Sequence, residues 1–430
     1  MVPPASAPEQ SDIVRASTAT RSRRARPGRH VPERCACFSS CKTRNSMHLF
    51  RWRGLVYACL IACAACEESN GNAASEGRAW MLRGPKECAL AAADSSPADV
   101  GLSNVESLDV DSRGRIYVGD RLKAGVVVLS PDGRYLRTIG KRGQGPGEFD
   151  YIRNVQVLPG DSLLVYDAGI NRLSVFPPDS TGVSYVRNLA GLSRGPAPNW
   201  VEKLPGERAF FATHRNPFRA GQNAAPEDNR DQAVRILEWD GRTRRDSVLV
   251  VPTSQPLVAR QGGAVAATTD PFGRPGLVRV GPGGKLFYGW GDSLSVQIYD
   301  LQGKRVGGFD LPYQGPPVTG NDVEDAGEDL DDLLRNTLRE QAPERWPAFR
   351  SFIVDEHGNV WVALTAPAGE PTNWSVFDQG GKPLCSVRLP TNVDLRLIRG
   401  GKAYSVVTDD LDVPRIVVYR LSSSPGPGGG

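Results

Sequence analysis

The chain has 430 residues, with 47 glycines, 34 prolines and a formal charge of +4 from 52 basic and 48 acidic residues. So near a balance gives no basic field for nucleic acid. Apolar residues at 40% and charged residues at 23% leave enough for a packed core, and they exclude a collagen, a coiled coil and a multispan membrane protein.

Residues 1–46 carry a net +6 with no apolar periodicity, so they read as disordered or as an over-extended gene model with translation starting at Met47. Arg51 and Arg53 then form a positive n-region ahead of the apolar run LVYACLIACAA at 55–65. Eleven residues are too few to span a bilayer, which takes about 20, but suit a signal-peptide h-region. Small residues before Cys63 and Cys66 resemble a bacterial lipobox, in which the Cys thiol is diacylated. Glu67 and Glu68 favour Cys66, and Leu60 at minus three favours Cys63 as the alternative. An ordinary secretory signal stays open. Residues 47–66 account for +2, so the remainder carries −4 and the basic balance belongs to the leader. Beyond it only Cys88 and Cys385 remain, either as one disulfide of an exported domain or as two buried thiols.

After a tether at 67–78, a unit of about 46 residues recurs. The first is 105–140 (VESLDVDSRGRIYVGDRLKAGVVVLSPDGRYLRTIG) and the second 154–189. The others begin near 199, 276, 349 and 393. Each holds short β-rich runs with a glycine in its first turn: Gly114, Gly160, Gly206, Gly284, Gly358 and Gly401. Ile116 and Val118, like Leu163 and Val165, alternate along their strands. Six four-stranded units predict an all-β, six-bladed β-propeller over 79–422, because each unit alone exposes two apolar faces that only neighbours can bury. The sixth unit has three strands before the tail 423–430. The segment 78–92 is therefore expected to supply the fourth by pairing beside 414–422.

Units of the form apolar-x-VDxxGxIYVxD, with GKRGQGPGEF at 140–149, resemble NHL-repeat and TolB-like six-bladed propellers, and more closely bacterial propeller lipoproteins of unassigned function. The resemblance implies fold and an envelope address. It implies no single activity, since this architecture hosts hydrolases, lyases and plain binding domains.

Up-and-down strands put the a–b and c–d turns on one face and the b–c and d–a connections on the other. The long connections 140–154, 214–232, 252–275, 312–348 and 366–373 all fall on the second face, which is the expected binding surface. A helix near 321–341 is expected in the fourth of these, capped by Asn321 with Glu324. Candidate ligand-binding residues on that face are Arg142, Glu148, Arg153, Asn154, His214, Arg215, Arg219, Arg260, Asp270 and Arg274. Arginines among Phe149, Tyr151, Phe218 and Phe272 suit an anionic or carbohydrate-like ligand. His214 and His357 fall on opposite faces and share no metal or relay, and no GxSxG, P-loop or HExxH occurs.

The preferred reading is an exported, lipid-anchored, monomeric binding module at the cell envelope, without cofactor or catalysis, whose partner is an unknown protein or small molecule. One alternative is a calcium-dependent lactonase or esterase with its metal at the central channel, for which only Glu106 and Asn154 stand in plausible positions. The other is a structural envelope-assembly protein.

Overall fold

The computed structural model describes residues 88–96, 100–189, 197–215, 231–367 and 369–423. The leader, its candidate lipidation cysteines, the tether and the tail lie outside these residues. Six four-stranded antiparallel sheets form the blades of a six-bladed β-propeller. Their innermost strands are Val105–Val110, Ile152–Val157, Trp200–Lys203, Gly276–Val280, Phe349–Val354 and Val393–Arg399.

All six first-turn glycines have φ between 67° and 84°, the left-handed region where a Cβ is strained, so the repeat in the sequence is a repeat of backbone conformation. Each interface between neighbouring blades is one apolar cluster. Blades 1 and 2 share Tyr117, Val126 and Val128 with Ile152, Leu163 and Val165. Blades 6 and 1 share Tyr404, Val406 and Ile416 with Leu108, Ile116 and Val118. Ile116 and Val118 thus face one neighbour and Tyr117 the other. This is why the second strand of each blade is apolar on both faces.

The inner edge of a blade leaves backbone groups unpaired, and in blades 1, 2 and 3 side chains from the preceding blade satisfy some of them. Ser107 Oγ accepts from Val155 N at 2.8 Å and the Asp109 carboxylate from Val157 N at 2.7 Å. Asn154 Nδ2 donates to Val201 O at 2.9 Å, and Gln156 Oε1 accepts from Lys203 N at 2.7 Å. Arg399 of blade 6 donates to Val110 O at 3.2 Å, which brings the ring back to its start.

The ring closes as expected, with a shift in position. The closing strand is Cys88–Ser95 rather than 78–92, and it pairs antiparallel with Pro414–Ser423 from Cys88↔Ser423 to Ser95↔Val417. Residues 78–87 lie outside the described residues. Cys88 and Cys385 are disulfide-bonded with Cα atoms 5.4 Å apart, which ties the closing strand to the outer strand of blade 5, Pro383–Leu389. The two cysteines are 297 residues apart in sequence, so the bridge restricts nearly the whole unfolded ring. Replacing both by Ala is expected to cost about 2–4 kcal/mol, read as a lower denaturant midpoint. A reductant should shift the wild type by the same amount and leave the double variant unmoved.

Two insertions differ from their expected form. The connection at 252–275 is not an open loop: it carries a two-stranded hairpin, Pro256–Gln261 with Ala264–Thr269. The single helix expected near 321–341 is two, α1 (Gly320–Gly327) and α2 (Asp332–Gln341). The cap of α1 is Thr319 with Asp322, not Asn321 with Glu324; the Thr319 hydroxyl accepts from Asp322 N while Asp322 accepts from Thr319 N. Asp331 caps α2. Asp322 and Asp331 thus serve two helix starts, and Arg335 donates to Gly327 O and Leu330 O across the bend between the helices. Leu334 and Leu338 of α2 pack with Leu257, Ala259, Phe272 and Trp346, so the insertions on either side of blade 4 join into one small cap.

Candidate functional site

The expected site residues do not converge. On the loop after blade 1, Arg142 is exposed and turns to Asp150 at 3.2 Å and to Leu122 O at 3.3 Å. Glu148 folds back on its own loop, where Gly145 N–H and Lys141 hold its carboxyl below the usual range. Arg172, nearly buried, donates to the carbonyls of Gln144, Gly145 and Glu148, and Phe149 is fully buried beneath. GKRGQGPGEF is thus a clamped connection built for packing. His214 is 3% exposed within the strand Ala209–Arg215, while Phe272, buried in the cap, forms part of the wall of a cavity there. Arg260 lies exposed on the hairpin. The side chain of Arg215, and Phe218 and Arg219 entirely, lie outside the described residues.

Three of the candidates line cavities, and a fourth is bonded to a lining residue. Asp270 and Arg274 border a cavity of about 610 Å³ between the cap and blades 3 and 4, with Asp231, Gln255, Trp290 and Gln341. Asp270 accepts from Phe272 N at 2.9 Å, and burial raises its carboxyl pKa above the ordinary value. Arg274 donates to Phe272 O and pairs with Asp292, both at 3.1 Å.

Asn154 lines the second cavity, the central channel, and Arg153 is bonded to Glu106 of its lining. This cavity is about 530 Å³ and is lined by all six innermost strands. At the mouth Arg153 meets the Glu106 carboxylate at 2.5 Å and the Tyr151 hydroxyl at 2.6 Å, while Arg121 lies 4.7 Å over the Tyr151 ring. Around the ring the lining also holds Asp109, Glu202, Arg279, Arg350, Asp394, Arg396 and Arg399. Burial pushes the carboxyls of Asp109 and Asp394 up, and that of Glu202 up to about 7, against the opposing pull of Arg399, Arg396 and Arg279 respectively.

Sequence reasoning missed this charged ring. Its signal was present: the first strand of each unit carries charged or amide residues where a half-buried strand would be apolar. Among the described residues, no three His, Cys, Asp or Glu side chains come together as a metal cluster.

A family model described as a 6-bladed beta-propeller matches residues 97–190, the span of blade 1 and blade 2. No curated protein matches the chain. Solved structures similar to it include a Bacteroides fragilis protein thought to be exported, at 11% identity and a TM-score of 0.47, covering 78% of this chain and 95% of that one. A Bacteroides vulgatus member of the duf4221 family is 11% identical with a TM-score of 0.49, covering 78% and 98%. Virginiamycin B lyase from Staphylococcus aureus is 10% identical with a TM-score of 0.42, covering 78% and 100%. With TM-scores under 0.5, these likenesses carry no argument about what this chain binds or does.

Proposed function

We propose that the protein is an exported, lipid-anchored propeller at the bacterial cell envelope that binds a partner or small molecule on the face bearing its b–c and d–a connections. The observation that carries this reading is the cap. Two insertions from separate connections pack into one apolar unit and border an open cavity of mixed polar and apolar lining, with Trp290 in its wall. Drift at exposed loops gives no reason for two insertions to share a core. The cavity sets Asp231 and Asp270 against one arginine already paired with Asp292, which suits a neutral polyhydroxyl ligand over an anion.

The bonded pair Cys88–Cys385 supports the exported part, since such bonds persist in oxidising compartments. The lipid anchor rests on the leader alone, with Cys66 preferred over Cys63. Against a calcium-dependent hydrolase stands the chemistry of the mouth: Glu106 is committed to Arg153, Asn154 to Val201 O, and Arg350 occupies the matching place in blade 5.

A thermal-shift screen of neutral saccharides followed by Asp270→Asn with Arg274→Ala tests the cavity. A hit from the wild type is expected to lose tenfold or more in affinity, about 1.4 kcal/mol. Unchanged affinity would assign the hit, and the binding role, to another part of the surface.

A further inference from the structure

The central channel is charged beyond what its own ion pairs use up. Three of its acids are matched: Glu106 with Arg153, Asp394 with Arg396 at 2.7 Å, and Asp109 with Arg399. What remains is Glu202 against two arginines. Arg279 comes no nearer Glu202 than a through-space attraction; its one hydrogen bond is to Val278 O at 3.0 Å. Its guanidinium lies between the rings of Trp200 at 5.7 Å and Phe352 at 5.9 Å. Arg350 rests 4.7 Å over the Trp346 ring and has no carboxylate or carbonyl partner among the described residues.

An arginine that lines a channel without a counter-charge holds five donors ready for an oxyanion, and stacking on an aromatic face fixes their direction. We propose that the central channel binds a small anion bearing a carboxylate or a phosphate-like group, held by Arg350 and Arg279. The cavity of about 530 Å³ has room for a metabolite-sized molecule. The site lies in the channel and not in the cap cavity, so it stands or falls separately from the reading above.

Glu202 is the channel acid that no salt bridge matches among the described residues, so it opposes such a ligand most directly. It is faced by Arg279 from blade 4, by the Trp200 indole N–H of its own strand at 3.4 Å, and by the more distant charges of Asp109 and Arg399 from blades 1 and 6. Burial brings its carboxyl to about 7. Below that pH it is neutral and the channel has an excess of two positive charges; above it the excess is one. Anion affinity should therefore rise as pH falls through 7.

The test is calorimetric titration at fixed ionic strength, with sulfate as a tetrahedral oxyanion, glutarate as a dicarboxylate and glutaramide as the neutral control. The wild type is expected to bind sulfate or glutarate and not glutaramide, and the preferred anion identifies the group. Binding should weaken severalfold between pH 6 and pH 8. Arg350→Met, which keeps the stem on Trp346, should lose at least tenfold. Arg350→Lys, which keeps the charge, should lose less and controls for folding. Glu202→Gln should bind equally at both pH values. No heat from either anion at about 10 mM overturns the proposal, since even millimolar affinity is only about 4 kcal/mol. Affinity unchanged in Arg350→Met, or the same pH dependence in Glu202→Gln, overturns it as well.

Discussion

A chain that begins at residue 97 is expected to lose its cooperative unfolding transition. Such a chain lacks Cys88–Ser95, so blade 6 is left with three strands and Pro414–Ser423 becomes an open edge. Three losses coincide there: the ladder from Cys88↔Ser423 to Ser95↔Val417, the bond to Cys385, and the apolar contact of Cys88 and Leu90 with Trp361, Trp374 and Leu395. A propeller has no partial ring to fall back on, since each blade buries its faces only between two neighbours. An unpaired edge of ten residues also invites pairing with a second chain. The expected result is aggregation or a broad, non-cooperative melt. A synthetic peptide of residues 86–97 added in excess should restore the transition by strand addition. Cys385→Ala in the truncated chain removes the stray thiol and should not rescue it. A truncated chain that melts sharply at the wild-type midpoint would refute the role of this strand.

The number of blades, the strand order and the closure were legible in the sequence because turns repeat a backbone requirement. A glycine at positive φ leaves a mark that no neighbouring side chain can disguise. The grouping of long connections on one face was legible for the same topological reason. What happens within those connections was not. Asn321 and Glu324 have the right chemistry for a cap, but Thr319 and Asp322 have it too, and the register observed is the one in which Val323 and Ala326 pack against the cap's apolar cluster. The hairpin at 256–269 is marked by the two-residue turn Gly262-Gly263, both at positive φ, but that pair was read as loop. The sequence placed Glu106 and Asn154 at the channel, but the rest of its charged ring was missed for a different reason. Its residues are spread over six strands, and which charges remain unmatched depends on distances across the ring, as with Arg350 against Asp394 and Arg396.

Asp167→Ala is expected to be among the most damaging single changes in the protein, about 3–5 kcal/mol, although the residue touches neither cavity. It ends the second strand of blade 2, is fully buried, and receives four backbone N–H groups. Its Oδ2 accepts from Asp150 at 2.7 Å; its Oδ1 accepts from Tyr151 at 3.1 Å, Gly169 at 2.9 Å and Ile170 at 3.2 Å. One carboxylate thus pins both the turn that follows its strand and the segment that enters the innermost strand. Asp120 does the same in blade 1 with Ser103, Asn104 and Lys123, which is the physical content of the final Asp in the IYVxD pattern. Alanine would leave buried donors without acceptors, the expensive direction of that exchange. Asparagine keeps one oxygen but turns an N–H₂ toward Asp150 N–H, so Asp167→Asn should fall between Ala and wild type. Because Asp150 and Tyr151 lead into Arg153 and the channel mouth, hydrogen exchange at those two amides should accelerate in Asp167→Ala well before global unfolding. A denaturant midpoint within about 0.5 kcal/mol of wild type would show that water replaces the carboxylate without cost, and the turn would then owe its shape to the clamped loop on Arg172 alone.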